Sequence, residues 1–278
     1  MENLRIGAQV TFRPNTDIAE EFAKLASIEL NCCQLNVWNV ALHTDENVEK
    51  IKAASEKYGI EITAVWAGWD GPCIWNFYDG PATIGIVPAA YREARVRQLK
   101  MGADFAYKLG VSDIITHCGF IPENPYDPDF IGVVGAIKHI ANYIKPRGQW
   151  FLFETGQETP VTILRTIEEV GTGNLGVNLD TANLILYGKA STVDALEVFG
   201  KYVRNTHCKD GFYPTDGHNL GKEVALGEGK ANFPAIVKKF KELGYTGPYV
   251  IEREISGEQQ TKDIIMARDM IRRLVAEA

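Results

Sequence analysis

Eight apolar runs of strand length alternate along this chain with amphipathic stretches of helix length. The apolar runs predict strands at residues 4–10, 32–38, 61–67, 113–118, 150–155, 175–180, 203–208 and 248–253. The amphipathic stretches predict helices at residues 17–28, 46–58, 89–109, 130–145, 160–170, 192–200, 233–243 and 259–276. Because one helix separates each strand from the next, neighbouring strands are expected to be parallel. Eight such units predict an α/β fold, a (β/α)8 TIM barrel forming a single domain over residues 1–278.

The alternative for such an alternating chain is an open, doubly wound sheet. A dinucleotide-binding version would carry a Gly-x-Gly-x-x-Gly loop after its first strand, and none follows residues 4–10. Gly59, Gly110, Gly171 and Gly244 follow predicted helices, at the position where glycine adopts a left-handed cap at little steric cost. The regular layout favours the barrel.

The composition restricts both the partners and the compartment. A formal net charge of -7 and a pI near 5.4 disfavour nucleic acid and anionic membranes, because phosphate binding needs clustered Lys and Arg. Five cysteines without CxxC spacing indicate neither a disulfide framework nor a zinc finger. No leader with a basic and then an apolar segment begins at Met1, and no run approaches the roughly 20 apolar residues of a membrane span. We therefore expect a cytoplasmic protein whose partner is a small molecule.

The fifth to eighth predicted strands all end on, or next to, a residue that can bind a hard divalent metal. These residues are Glu154, Asp180, His207 and Glu252. One charged residue at a strand end is readily explained by an ion pair. However, the carboxyl ends of parallel strands meet on one face of a barrel, so the four side chains are expected to converge. Three carboxylates and one imidazole suit Mn²⁺, Mg²⁺ or Co²⁺ better than a thiolate-rich structural zinc site does, and Zn²⁺ is a further alternative.

The longest predicted connections follow strands three, four and seven, at residues 68–88, 119–129 and 211–231. They lie on the same face as the four expected ligands, where the loops of a barrel build its active site. Aromatic residues in or beside them, such as Trp66 and Trp75, are therefore candidates for the walls of a site. For any single one, a place in a surface loop or a secondary core is the simpler explanation.

Five sequence strings carry a resemblance to a known family. They are FETGQET, GVNLDTANLILYG, HCKD, LGEGKANF and GPYVIERE, all between about residues 150 and 254. Together they resemble the sugar phosphate isomerase/epimerase family of the xylose isomerase-like TIM barrel superfamily. The resemblance implies that Glu154, Asp180, His207 and Glu252 hold one divalent metal, Mn²⁺ being the first expectation. It also implies that Glu154 and Glu252 face each other across the sugar as acid and base.

Two opposed carboxylates beside a metal suit the isomerisation or epimerisation of a ketose. The reaction removes a proton next to a carbonyl, whose oxygen must then carry negative charge that a metal stabilises. One carboxylate takes the proton and the other returns it from the opposite side, which inverts the carbon. Glycoside hydrolysis also uses two carboxylates but needs no metal ligands around them. The favoured function is a metal-dependent isomerase or epimerase acting on a sugar or a sugar phosphate.

Five further residues are candidates for contact with the substrate: His117, Glu158, Lys209, Asn183 and Trp66. His117 ends the fourth predicted strand, where it can bond a substrate oxygen, although a structural role explains a lone His equally well. Lys209 lies in HCKD, where similar proteins place a Lys or a polar group, and Glu158 ends the string ETGQE. Asn183 stands where many relatives that epimerise simple ketoses carry His. The resemblance therefore does not identify the sugar.

Several alternatives remain open at this point. A lyase or dehydratase of the same superfamily, such as an inosose dehydratase or an enzyme that cleaves 3-keto-glycosides, starts with the same proton abstraction. A non-catalytic sugar-binding subunit would keep the metal site without the reaction. A DNA-repair endonuclease of the same superfamily would need a basic groove and several more His ligands, and the whole chain contains only five His residues. Whether the substrate carries a phosphate is left open. The Gly-rich residues 217–222 could offer backbone donors to a phosphate, but acidic side chains surround them. The family resemblance also implies a homodimer or homotetramer.

Overall fold

The computed structural model describes residues 4–278, and the first three residues of the predicted domain, Met1 to Asn3, lie outside the described residues. Eight parallel strands form a closed barrel in the order β1, β2, β3, β4, β5, β6, β7 and β10, and β10 pairs with β1. The strands are β1 Ile6–Thr11, β2 Cys32–Val37, β3 Glu61–Ala67, β4 Asp113–Thr116, β5 Trp150–Glu154, β6 Leu175–Asp180, β7 Val203–Cys208 and β10 Tyr249–Ile251. The predicted (β/α)8 barrel is confirmed.

Helices surround the barrel and return the chain from each strand to the next. They are α1 Ile18–Ser27, α2 Asp45–Tyr58, α3 Gly80–Thr83, α4 Ala89–Leu109, α5 Pro128–Ile144, α6 Pro160–Val170, α7 Asn183–Leu186, α8 Thr192–Phe199, α9 Phe233–Glu242 and α10 Glu258–Glu277. The eight predicted strands and eight predicted helices all occur, with ends within two residues of the predicted ones. Short turns of 3-10 helix cover Val40–Leu42, Lys145–Arg147 and Gly200–Tyr202.

Local chemistry explains where several helices begin and end. The Asp17 side chain accepts hydrogen bonds from the backbone N–H groups of Ala19 and Glu20 at 3.0 and 3.2 Å, which satisfies the free donors at the start of α1. Gly59 and Gly110 end α2 and α4 with φ of 65° and 81°, a left-handed conformation that glycine adopts without strain. These caps leave only short links to the following strands.

Four short elements between the predicted strands and helices were not predicted. α3 and α7 span only four residues each, and β8 Asp210–Gly211 pairs antiparallel with β9 Glu223–Val224. Elements this short display no period of 3.6 or 2, so the sequence carries no signal for them. Between strands and helices lies a continuous apolar core that includes Phe22, Ile51 and Phe153. No helix within residues 4–278 has both the length and the apolar character that crossing a membrane requires.

Candidate metal and substrate site

The four expected ligands converge at the carboxyl end of the barrel. Glu154 and Asp180 are the last residues of β5 and β6, His207 is the fifth residue of β7, and Glu252 directly follows β10. These four strands are consecutive around the barrel. One ligand atom from each side chain lies within 4.8 Å of those of the others. The first three side chains are fully buried and Glu252 is 13% exposed, so the cluster lies at the base of an opening.

Two buried polar atoms in this cluster have no hydrogen-bond partner among the described residues. They are His207 Nδ1 and Asp180 Oδ2. His207 Nδ1 lies 2.7 Å from Glu154 Oε1, 3.2 Å from Glu252 Oε2 and 3.9 Å from Asp180 Oδ2, without the alignment of a hydrogen bond. A buried polar atom without a partner costs about 1–3 kcal/mol. A cation among these atoms would supply the missing partner for both.

The ionisation of the cluster also favours a cation. Burial raises the pKa of Asp180 well above its usual range, the carboxylates of Glu252 and Glu154 raise it further, and Lys209 opposes them. Burial would lower the pKa of His207, but the charges of Glu154 and Glu252 outweigh it and hold that pKa well above the usual range. Three carboxyl groups this close cannot all ionise without positive charge between them. Their oxygens and one imidazole fit a divalent cation such as Mn²⁺, Mg²⁺, Co²⁺ or Zn²⁺.

Lys209 lies on one side of the cluster and is itself buried. Its Nζ lies 2.6 Å from Glu254 Oε1, 3.4 Å from Glu252 Oε2 and 3.6 Å from Asp180 Oδ2. Burial would lower the pKa of Lys209, but these three carboxylates outweigh it and raise that pKa well above the usual range. Burial alone would raise the pKa of Glu252, but the charges of Lys209 and His207 outweigh it and hold that pKa well below the usual range. Lys209 is therefore a fixed positive charge that keeps Glu252 ionised.

A cavity of about 480 Å³ opens above the cluster. Trp38, Trp66 and Trp75 line one side of it, and the rings of Trp38 and Trp66 stack with centroids 5.0 Å apart. Trp66 is buried, whereas Trp75 is 42% exposed. The aromatic wall therefore runs from the metal-ligand cluster to solvent. Such a wall suits the apolar face of a sugar ring.

His117 joins this wall to the metal-ligand cluster. Its ring meets the edges of Trp66 and Trp75, with centroids 5.7 and 5.0 Å apart. Its Nδ1 lies 3.1 Å from Gln157 Oε1, and the amide of Gln157 donates in turn to the Tyr187 hydroxyl at 2.9 Å. Burial lowers the pKa of His117 despite the nearby carboxylates, so the ring is neutral near pH 7. A neutral ring that donates from Nδ1 keeps Nε2 as a hydrogen-bond acceptor.

The structure places four of the five expected substrate residues in the lining of this cavity: His117, Lys209, Asn183 and Trp66. Glu158 does not line it; it is buried, and neither of its carboxyl oxygens has a hydrogen-bond partner among the described residues. The residues between Glu154 and Glu158 are not helical, because α6 begins only at Pro160. A spacing of four therefore does not bring the two glutamates to the same face.

Five further polar or aromatic lining residues were not predicted from the sequence: Gln9, Asn36, Trp38, Glu223 and Glu254. Trp38 directly follows β2, so its position after a strand end was a usable signal. Glu223 lies in the hairpin strand β9, and its pairing with β8 could not be foreseen. Two long connections that both contribute to the lining, through Trp75 and Leu220, also contact each other, because the Phe77 N–H donates to the His218 carbonyl at 2.9 Å.

Sequence comparisons agree with this fold. A sequence model of the family described as xylose isomerase-like TIM barrel matches residues 22–274. Among curated proteins, the chain is similar to an uncharacterised protein, MJ1311, from Methanocaldococcus jannaschii, with 26% identity over 195 residues. That alignment spans 64% of this chain and 64% of the length of the relative.

Three solved structures share the architecture over nearly the whole chain. A xylose isomerase domain protein from Planctomyces limnophilus has 32% identity and a TM-score of 0.91, covering 99% of this chain and 100% of its own. The 3-keto-D-glucoside 4-epimerase of E. coli has 17% identity and a TM-score of 0.71, covering 97% and 99%. A xylose isomerase-like TIM barrel protein from Mycobacterium smegmatis, solved with magnesium, has 16% identity and a TM-score of 0.73, covering 99% and 98%. The last two likenesses show the fold alone.

Proposed function

The chain belongs to the xylose isomerase-like TIM barrel family, and from that premise we propose that it is a divalent-metal-dependent sugar isomerase or epimerase. The observation that carries the proposal is the convergence of Glu154, Asp180, His207 and Glu252 on one point at the base of an aromatic-walled cavity. A sugar epimerase is among the solved structures with the same fold. We propose these four residues as the metal ligands.

The two glutamates are the proposed acid and base. A bound divalent cation would polarise the substrate carbonyl and offset the negative charge that develops on its oxygen. Glu154 and Glu252 come from strands on either side of β6 and β7, so they reach the substrate from different directions. Lys209 keeps Glu252 ionised, so the Glu252 carboxylate can accept the proton from the carbon next to the carbonyl. Glu154, in its protonated form, would give its proton to the opposite face, which inverts the carbon, and proton exchange with solvent would then restore both glutamates.

His117, Asn183, Lys209 and Trp66 are proposed to orient the sugar. The neutral ring of His117 can accept a hydrogen bond from a sugar hydroxyl through Nε2. The Asn183 side chain lies 3.4 Å from Lys209 Nζ, so both groups can share one substrate oxygen. Trp66 offers its ring in the lining of the cavity. Fixing hydroxyls and ring together would hold the reacting carbon beside the carboxylates.

The charges in the cavity favour an unphosphorylated sugar. Four carboxylates line it, those of Glu154, Glu223, Glu252 and Glu254, against the single ammonium of Lys209. Lys209 is already surrounded by carboxylates. Even with a divalent cation bound among its ligands, a phosphate would meet these carboxylates with no free Lys or Arg side chain in the lining to bind it.

We propose Mn²⁺ as the native metal, with Mg²⁺, Co²⁺ and Zn²⁺ as the alternatives to be compared. The oxygen-rich ligand set supports Mn²⁺ and Mg²⁺, and a family member of the same fold was solved with magnesium. We also propose a cytoplasmic homodimer or homotetramer. All five cysteines are unpaired, which suits a reducing compartment, and light scattering of the purified protein measures the number of subunits.

Solvent exchange tests the reaction. We expect the Mn²⁺-loaded protein to incorporate deuterium from D₂O next to the carbonyl of a free ketose or a 3-keto-glycoside, with a new epimer or isomer seen by NMR after the metal is removed. Glu252→Gln should abolish exchange, because its amide cannot accept the proton. Glu254→Gln, which removes another charge from the same cavity, should retain it. Loss of a leaving group instead would make the protein a lyase or dehydratase, and binding without exchange would make it a sugar-binding subunit.

A further inference from the structure

Three buried amide side chains cross the interior of the barrel beneath the metal-ligand cluster. Gln34 lies on β2, Asn178 on β6 and Asn205 on β7, and at most 2% of each is exposed. The Gln34 amide nitrogen donates to Asn178 Oδ1 at 2.8 Å and to Asn205 Oδ1 at 3.3 Å. We call these three residues the amide chain. The inside of such a barrel is usually filled by Val, Ile and Leu, so three satisfied amides there call for an explanation.

The strand period places the amide chain directly below the metal ligands. Asn178 is two residues before Asp180, and Asn205 is two residues before His207. Residues two apart on a strand point to the same face. The register pairs Asn178 with Asn205 and Asp180 with His207. The two asparagines therefore form the layer beneath the two ligands.

Carboxylates fix the direction of every hydrogen bond in the amide chain. Asn178 Nδ2 donates to Glu154 Oε2, and Asn205 Nδ2 donates to Asp113 Oδ2 at 3.0 Å. A carboxyl oxygen that carries no proton only accepts, so each asparagine must turn its NH₂ group to the carboxyl oxygen and its own oxygen to Gln34. Gln34 must then turn its NH₂ group to these two oxygens. Its own oxygen is left facing His207 Nε2, with which it forms a hydrogen bond.

Asp113, the acceptor at the end of the amide chain away from Glu154, is itself held by an ion pair. Asp113 is buried at the start of β4, and Arg204 Nη2 lies 3.0 Å from its Oδ1. Arg204 donates hydrogen bonds to both oxygens of Asp113, so these oxygens act as acceptors. Glu154 orients the amide chain from one side and Asp113 from the other, and both require the same orientation of the Gln34 amide.

We propose that Gln34 is a positioning residue that, in the metal-bound protein, holds the His207 ring with its Nε2–H donated to Gln34 Oε1 and its Nδ1 lone pair turned to the cation among the three carboxylates. The inference rests on the proposed metal site. Gln34 Oε1 can only accept, so the ring must carry its proton on Nε2, and Nδ1 is the nitrogen that lacks a partner. A hydrogen bond at the second nitrogen sets which nitrogen of a ligating His meets the metal.

Gln34→Met and Gln149→Met provide a matched test. Methionine keeps the length of the side chain while removing both hydrogen-bonding atoms. Gln149 is equally buried, but its amide donates to the backbone carbonyl of Ala103 at 2.9 Å and does not contact the metal-ligand cluster. We expect Gln34→Met to weaken Mn²⁺ binding about 10–100-fold, as loss of a partner behind a ligand typically does. Gln149→Met should change it less than about threefold, and free Mn²⁺ measured by EPR gives both dissociation constants.

A direct measurement of the ring proton completes the test. In the wild-type protein loaded with diamagnetic Zn²⁺, long-range ¹H–¹⁵N NMR spectra should show His207 protonated on Nε2, with His207→Asn identifying its signals among the five His residues. A proton on Nδ1 would overturn the inference even if Gln34→Met failed to fold. Equal Mn²⁺ affinities of wild type and Gln34→Met, or equal losses in Gln34→Met and Gln149→Met, would also overturn it while leaving the proposed function intact. A wild type that binds no Mn²⁺ would instead refute the proposed metal site and this inference with it.

Discussion

Replacing Glu158 by glutamine should stabilise the protein at neutral and alkaline pH, with a gain that vanishes in acid. Glu158 is 1% exposed, and its carboxyl oxygens have no hydrogen-bond partner among the described residues. Burial raises its pKa from 4.5 to about 8, against the opposing charge of Lys189. The folded protein therefore favours the neutral acid, whereas the unfolded chain releases the proton at ordinary pH.

The size of the effect follows from the two pKa values. Below pH 4.5 both states keep the proton, so ionisation contributes nothing to the difference between variant and wild type. Between pH 4.5 and about 8 only the unfolded wild type loses the proton, so wild-type stability falls by about 1.4 kcal/mol per pH unit. Between pH 5 and pH 8 the accumulated loss is roughly 3 kcal/mol, and a neutral amide does not incur it.

Urea unfolding, followed by circular dichroism in EDTA across this pH range, measures the difference. Glu169→Gln, an exposed position on α6, is the matched control and should show no comparable dependence on pH. The stability of Glu158→Gln relative to wild type should rise steadily with pH. A difference that stays constant from pH 5 to pH 8 would refute the reasoning, because Glu158 would then have the same charge in both states of the protein.

Three further predictions concern the metal, the base and the backbone. Because the pKa of His207 is raised well above its usual range, Mn²⁺ must displace a proton from the ring, and the affinity for Mn²⁺ should therefore rise with pH. Calorimetry in buffers of different ionisation enthalpy should show this proton release as a binding enthalpy that depends on the buffer. A binding enthalpy that is the same in all buffers would contradict the prediction. Lys209→Met should raise the pKa of Glu252 and move the acidic limb of the kcat/KM profile at least one pH unit upward, whereas an unchanged limb would mean that Glu252 is not the base. Gly85→Ala should cost more than about 2 kcal/mol in urea unfolding, because its Cβ would lie 2.0 Å from the Cys118 carbonyl oxygen at φ +70°. Gly148→Ala, at the same φ with nothing within 4 Å, should cost only about 1 kcal/mol, and equal costs would contradict the steric argument.

The order of the strands and the convergence of the four ligand candidates could be predicted because both depend on local sequence. An apolar run of strand length that stops on Glu154 or Asp180 identifies the strand and its end together. Parallel pairing then brings such ends to one face without any knowledge of the loops. The lining residue Glu223 depends on a two-residue hairpin strand inside a long connection, and no period marks such a segment.

The amide chain shows where the sequence stops being sufficient. The strand period alone places Asn178 below Asp180 and Asn205 below His207, so the layer could have been predicted. The partner that joins them could not, because Gln34 is 144 and 171 residues away along the chain from the two asparagines. Which residue of β2 reaches this layer depends on how far the strands shift along one another around the closed barrel. A one-residue slip of β2 would turn Gln34 to the helices and put an apolar side chain against His207 Nε2. The proposed orientation of the metal-binding ring is thus a property of barrel closure, and no single strand sequence contains it.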